Sequence, residues 1–322
     1  MRDEIKHYSI GALLYTPANN TGIVKSVSDE KFGSKYSLAL CLEDTLRTRD
    51  VAKAEVILSE SVKAIYEKRQ KKEFYLPKLF IRVRKPEQID RILCSLGQSV
   101  DIVNGIIFPK STPDNLGKYV SAFESARARY NSKISFMPIL ESPELIDIRR
   151  RTDFLYNINE LLKKVEGDVL NVRVGGNDLC GTMGYRRHCD ETIYEYGVIE
   201  NILIDIISVF SGSFVISGPV WEYYNSDGWL KGLKREIVKD RQCGFVGKTV
   251  IHPNQINAVN EGYMVSRQDY EDAFSIVNWD SENLVSGSVD GGRMNEYKTH
   301  LCWAKKTLLL AEYYGIKNDK AK

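Results

Sequence analysis

The chain has 322 residues, 43% of them hydrophobic, which is enough to bury a full core as one large domain or two small ones. Its 45 basic and 43 acidic residues leave a formal net charge of +2, so composition gives no electrostatic footprint for a nucleic-acid partner. The six cysteines form no C-x-x-C pair, which excludes a zinc ribbon or a disulfide framework and predicts reduced thiols in a cytoplasmic protein.

The opening residues, Met1 to Lys6, are charged and lack the apolar run of a signal peptide behind them. No apolar run in the chain is long enough to span a bilayer, so no membrane partner is expected. Eight short apolar segments follow in order: Ile10–Pro17, Ser37–Asp44, Leu79–Arg84, Gly105–Lys110, Ser135–Ser142, Leu170–Asp178, Ser213–Val220 and Lys248–Pro253. Most are continuous rather than alternating, as strands buried on both faces of a parallel sheet should be. Helical patterns lie between them. Asp50–Lys68 carries an apolar stripe, and Pro86–Leu96 opens on a first-turn proline. Pro113–Tyr130 follows the capping pair Ser111-Thr112. Phe154–Val165, Glu191–Phe210 and Asp227–Gln242 complete the series, while the basic run Arg149-Arg150-Arg151 reads as a solvated helix end or loop.

Strand then helix, eight times over, predicts an α/β fold, a (β/α)8 TIM barrel, over residues 1–262. No G-x-G-x-x-G follows the first strand, which counts against an open doubly wound sheet. Residues 263–322 form a C-terminal helical extension of the same domain. After the eighth segment a helix at Asn254–Gly262 closes the barrel, and the extension carries helices at Arg267–Val277 and Glu296–Tyr314, with a flexible glycine-rich loop at Val285–Gly292 and fraying expected from Lys317 onward.

In a barrel the C-terminal strand ends converge on one mouth. Here they carry Glu43-Asp44, Arg82 with Arg84, Lys110, Glu141, Asp178 and His252. The sixth segment ends in Gly175-Gly176-Asn177-Asp178, two glycines that let a ligand approach and a carboxylate beside them. Glu141 and Asp178, from neighbouring strands, are the expected ligands of one Mg2+, which takes oxygen donors and only one or two protein carboxylates. A 2-oxo or 2-hydroxy acid would chelate at the open positions, and the metal would stabilise its enolate. Arg82 would stabilise the developing oxyanion. These parts suit cleavage or formation of a carbon–carbon bond next to a carbonyl. The competing readings are a helix cap for Asp178, a cap or ion pair for Glu141 and an interior ion pair for Arg82. Arg173 points away from its strand neighbours and is either structural or a further site residue.

Several fragments fall in order on matching strands. Leu14-Tyr15-Thr16-Pro17-Ala18-Asn19 resembles LFVPGN, Leu38 to Thr45 resembles VVLDLEDA, and Ile81-Arg82-Val83-Arg84 resembles VRVN. Gly105 to Lys110 resembles GIVLPK, and Pro138 to Ser142 resembles ALIETA. Gly175 to Leu179 resembles GAEDLA, and Val250 to Ile256 resembles CIHPAQV. On these motifs the chain resembles the citrate lyase beta subunit / HpcH–HpaI aldolase family of the phosphoenolpyruvate/pyruvate barrel superfamily, over roughly residues 10 to 262.

The resemblance implies Mg2+ on Glu141 and Asp178, and Arg82 on the substrate carboxylate or enolate oxygen. It implies that Glu43 and Asp44 support Arg82 or a metal-bound water, and that Lys110 stands at the mouth. It implies a small oxo or hydroxy acid substrate, in many relatives a CoA or carrier thioester, and a homo-oligomer, trimer or hexamer. Longer relatives have a lid loop GxMID whose aspartate serves a neighbouring subunit; here Gly292-Arg293-Met294-Asn295-Glu296 is the counterpart, with Glu296 as its carboxylate and Asp290 as a second candidate. Arg84 replaces an asparagine and Asn177 a glutamate, and Ala18 and Asn20 replace a glycine and an arginine. The site is therefore more positive, which favours an additional carboxylate or a phosphate on the substrate and counts against a thioester. A condensing enzyme on a phosphorylated or non-CoA substrate and a non-catalytic binding or assembly subunit are the alternatives.

Overall fold

A computed structural model describes residues 4–130, 132–280 and 282–317. Eight parallel strands are arranged in chain order: β1 (Ala12–Pro17), β2 (Tyr36–Cys41), β3 (Lys78–Arg82), β4 (Val103–Phe108), β5 (Ser135–Leu140), β6 (Val172–Val174), β7 (Ile216–Ser217) and β8 (Lys248–Val250). β8 pairs with β1, from Ala12 opposite Lys248 to Leu14 opposite Val250. The remaining seam, between β7 and β8, is closed by a bridge between Gly218 and Lys248 and by Val246 N–H donating to the Ile216 carbonyl at 2.8 Å. The fold is a TIM barrel.

Its two hydrophobic layers follow from the period-2 alternation of the strands. On β3, Leu79 and Ile81 face the surrounding helices, while Phe80 turns inward to join Leu13, Ala39, Ile107, Met137 and Ile139 in a small central core. The next inward residue on β3 is Arg82, so the barrel interior changes from apolar to charged as it approaches the mouth. Helices cover the outside. Pro113–Arg129 begins with a capping box in which Thr112 and Asn115 bond reciprocally, as the Ser111-Thr112 pair predicts. The helix Ile148–Lys163 begins six residues earlier than the apolar pattern predicts, because Arg151 is buried rather than solvated: Nε donates to the Leu145 carbonyl at 2.6 Å and Nη1 meets Asp205 at 2.9 Å.

The extension lies across the N-terminal end of the barrel. In the final helix, Tyr297–Tyr314, the Tyr313 ring lies against Gly11 just before β1, and Lys306 Nζ reaches the Gly244 carbonyl at 3.2 Å. The glycine-rich stretch expected as a flexible loop forms a short antiparallel hairpin instead, β9 (Val285–Gly287) with β10 (Met294–Glu296). Buried Asp272 organises it, accepting from Val289 N–H at 3.0 Å, Asn295 Nδ2 at 3.1 Å and Arg293 Nε at 2.8 Å. All six cysteines are free thiols, and among the described residues no helix is long and apolar enough to cross a membrane. Of the fraying expected at 317–322, residues 318–322 lie outside the described ones.

Candidate active site

The mouth is organised by Arg82, the last residue of β3. Its Nη2 lies 2.9 Å from Glu43 Oε2, 3.5 Å from Asp44 Oδ2 and 2.9 Å from Glu141 Oε1. The guanidinium also sits 5.8 Å from the centre of the Tyr15 ring. Burial alone would lower the Arg82 pKa, but Glu141 and the other carboxylates outweigh it and hold the cation firmly protonated.

Lys110 ties the same group together twice. Its Nζ lies 2.9 Å from Glu43 Oε1 and 3.0 Å from Asp44 Oδ1, and its backbone N–H donates to Glu141 Oε1 at 2.8 Å. The residue adopts φ of +45°, a left-handed conformation that costs a non-glycine residue free energy and recurs at functional sites. Burial pushes Glu43 up, and Asp44 donates a backbone N–H to Glu43 Oε2 at 2.8 Å.

Glu141 follows β5 and is 3% exposed. Its Oε1 is occupied by Arg82 and Lys110, while its Oε2 has no hydrogen-bond partner among the described residues and faces Gly175. A Cβ on Gly175 would collide with Oε2 and stand 3.0 Å from Cδ, so glycine is needed for this close approach. Burial pushes the Glu141 carboxyl up to about 7; Arg82 pulls it down, and the charge of nearby Asp178 pushes it up again.

Asp178 does not sit on the sixth strand as its sequence context predicts. β6 stops at Val174, and Asp178 lies in the first turn of the short helix Gly176–Thr182. It does not cap that helix, and its carboxylate has no hydrogen bond or ion pair among the described residues. Glu141, Asp178, Lys110, Thr112, Glu144 and Thr182 line one open cavity of about 560 Å³. Of the three carboxylates that line it, Glu144 accepts from Ser142 Oγ, while Glu141 and Asp178 together keep three uncommitted oxygens, and the Asp178 charge raises the cost of ionised Glu141. That donor set fits a hard divalent cation taking two protein carboxylates and completing its shell with water and substrate oxygens. No group of three or more His, Cys, Asp or Glu residues suited to a metal occurs among the described residues, so a self-sufficient protein cage is not formed.

Two expected site residues lie elsewhere. Arg84, expected among the substrate contacts, braces the loop after β2: Nη2 donates to the carbonyls of Glu43 at 2.8 Å and Leu46 at 2.7 Å, and Nη1 to Thr48 Oγ1 at 3.0 Å. The reason is that β3 ends at Arg82, so the alternation that would have kept Arg84 facing the interior no longer applies. Glu296, expected as a catalytic carboxylate, ends β10 at the start of the final helix, and its backbone N–H meets His300 Nδ1 at 3.0 Å. That helix packs under the barrel, so Glu296 has no contact with its own mouth. Asp290 closes a turn through Ser288 Oγ and Gly292 N–H.

The structure adds Tyr15, whose ring lies beside Arg82, and Arg187, which holds the turn carrying Asp178. Arg187 Nη2 donates to Asn177 Oδ1 at 3.1 Å and to the Val220 carbonyl at 2.7 Å. Asn177 therefore supplies a neutral acceptor to a buried arginine. Tyr15 was readable as a polar residue on an inward strand position; nothing in the local sequence marks Arg187.

The family described as C-C bond lyase of the TIM-barrel fold matches residues 4–316. No curated protein sequence matches. Among solved structures, a citrate lyase from Burkholderia xenovorans LB400 superposes with a TM-score of 0.71 at 12% identity, over 97% of this chain and 94% of that one. The protein CitE from Mycobacterium tuberculosis, in complex with magnesium, acetoacetate and coenzyme A, gives a TM-score of 0.64 at 15% identity, over 95% and 99%. The citrate lyase beta subunit of M. tuberculosis, complexed with oxaloacetate and magnesium, gives 0.53 at 16% identity, over 80% and 98%. These likenesses establish the shared fold.

Proposed function

The chain belongs to the C-C bond lyase family of the TIM-barrel fold, and from that premise we propose a Mg2+-dependent enzyme that cleaves or forms a carbon–carbon bond next to the carbonyl of a 2-oxo or 2-hydroxy acid or an acyl thioester. The observation that carries this reading is the pair Glu141 and Asp178, with uncommitted carboxylate oxygens facing one cavity beside Arg82. Magnesium bound there would supply Lewis-acid polarisation of the substrate oxygen.

The chain's own residues account for the remaining work. Arg82, protonated and fixed by three carboxylates, offers a preorganised cation to the oxygen on which negative charge develops. Lys110 positions Glu141 through its backbone and neutralises the Glu43–Asp44 pair through its side chain. Gly175 admits Glu141 at contact distance. Barrel and extension are read as one domain, with the mouth on residues 1–262. A role for Glu296 requires a second copy of the chain, because its own mouth lies at the opposite end of the barrel; a trimer or hexamer by light scattering would support that arrangement. With Arg84 bracing a loop, one argument against a thioester substrate is removed.

Calorimetric titration with Mg2+ tests the reading directly. Wild type should bind the metal, and Glu141→Gln and Asp178→Asn should each abolish binding. Unchanged affinity in both variants would sink the proposal. A substrate panel scored for release of pyruvate or acetyl-CoA then separates an active lyase from a non-catalytic binding subunit, which would release neither.

A further inference from the structure

The helical extension meets the barrel along a seam that plays no part in the lyase reading. A cavity of about 440 Å³ opens there, between the barrel helix Trp229–Cys243 and the final helix Tyr297–Tyr314. That volume lies in the range of small-molecule sites. The cavity adjoins the start of β8, where lining Tyr263 donates its hydroxyl to the Gly247 carbonyl at 3.2 Å. None of its lining residues belongs to the mouth.

Two cations line this cavity, and neither has an ion pair among the described residues. Lys306 Nζ donates to the Gly244 carbonyl at 3.2 Å, and Arg241 Nη1 to the Gly262 carbonyl at 3.0 Å. The lining carboxylate, Asp269, is already engaged by Arg293 at 2.9 Å and by Ser266 Oγ at 2.7 Å. Burial lowers the Lys306 pKa, and no carboxylate stands close enough to restore it. The plainer reading makes both cations helix caps, since the two carbonyls close the helices Trp229–Cys243 and Asn254–Tyr263. A helix C-terminus carries only about half a negative charge, so capping leaves each cation with charge to spare. It also leaves N–H donors of both uncommitted.

Trp303 supplies the other half of the wall. Its ring is 38% exposed, with the Arg293 guanidinium 5.3 Å from the ring centre. Phe245 and Leu310 add apolar surface. A small inorganic anion would leave this surface unused, and a neutral ring would leave the cations unmatched. Two cations together suit a dianion, the charge that a phosphate monoester approaches at neutral pH.

We propose that the seam binds a small aromatic phosphate, its phosphoryl oxygens on Lys306 and Arg241 and its ring against Trp303. The site is separate from the mouth and spans barrel and extension.

Phenyl phosphate, inorganic phosphate and benzoate are the probes, titrated by calorimetry into the full chain without Mg2+. Wild type should bind phenyl phosphate about 3- to 10-fold more tightly than inorganic phosphate, the range of one aromatic contact, and more tightly than the monoanion benzoate. The mouth also holds cations, so variants locate the probe. Lys306→Met and Arg241→Gln should each weaken phenyl phosphate by about 10- to 100-fold, as loss of a charge-assisted hydrogen bond does. Arg241 is exposed, so its variant keeps the fold even if Lys306→Met disturbs the Gly244 cap. Trp303→Ala should bring phenyl phosphate down to the affinity of inorganic phosphate. Mg2+ affinity should be the same in all three variants as in wild type. Absence of saturable phenyl phosphate binding would overturn the proposal, as would equal affinity for phenyl and inorganic phosphate. So would binding that survives both Lys306→Met and Arg241→Gln, because the probe would then be held elsewhere.

Discussion

Two dense charge clusters among the described residues, one at the mouth and one behind β8, differ in how completely they are paired. Behind β8, Lys248 Nζ lies 2.9 Å from Glu236 and 2.7 Å from Asp240, all three fully buried. Arg187 meets Glu236 at 2.6 Å, Ile193 N–H donates to the same carboxylate at 2.9 Å, and Tyr194 donates to Asp240 at 2.7 Å. Each of these charges has its partner, and nothing remains for a ligand. At the mouth, Glu141 keeps one oxygen uncommitted and Asp178 keeps both. Clustered charge thus serves as scaffold where it is fully buried and its pairing is closed, and as a candidate site where it is part-exposed and left open.

The largest expected effect lies in the closed cluster. Lys248→Met leaves buried Asp240 without a cation and Glu236 with Arg187 alone, and should cost about 3–5 kcal/mol of stability, the range for breaking one side of a buried pair. Denaturant unfolding would register it, and Mg2+ affinity of the protein still folded should not change. The open cluster should behave in the opposite way. Asp178→Asn should reduce turnover by about 10²–10³-fold, as loss of a principal electrostatic group does, while the melting temperature holds or rises because no ion pair is lost. If Asp178→Asn destabilised the fold as Lys248→Met does, the distinction between the clusters would collapse.

Parts of this contrast were readable before any coordinates. Eight runs apolar on both faces identified the barrel, and polar residues at their ends pointed to Glu43, Asp44, Arg82, Lys110 and Glu141, which the structure brings into direct contact. Strand-end position misled where strands stop early. Arg84 is expected at the mouth as a strand-end residue beside Arg82, but β3 ends at Arg82, and Asp178 is expected on a strand that ends at Val174. Pairing across the fold leaves no local signal. The reach of Arg187 to Glu236 and Asn177, the left-handed turn at Lys110 and the hairpin on Asp272 all depend on partners far away in sequence. Gly175 is the intermediate case, since its sequence context signals close approach but not what approaches. Gly175→Ala should push Glu141 aside and weaken Mg2+ by on the order of 10- to 100-fold, as a disturbed metal environment does, with calorimetry as the measure, and the clash of the new methyl with Glu141 Cβ should cost about 1–3 kcal/mol of stability.

The smallest effect refines the comparison with a third kind of charge. Lys78, at the start of β3 near the bottom of the barrel, has no carboxylate partner among the described residues; its Nζ donates to the Ser9 carbonyl at 3.0 Å and to Ser9 Oγ. Burial lowers its pKa to about 8. The folded state therefore binds fewer protons than the unfolded one between about pH 8 and the ordinary lysine value near 10.4. Stability must rise with pH across that window, and the penalty is fully present below pH 8. Lys78→Met should remove it, stabilising the protein by about 1–2 kcal/mol at pH 7, discounted for the lysine's partial exposure. The gain should shrink through the window and disappear above it. A gain that persists at pH 11 would belong to apolar packing instead of to the buried charge, and Lys78 would then cease to illustrate an unpaired cation.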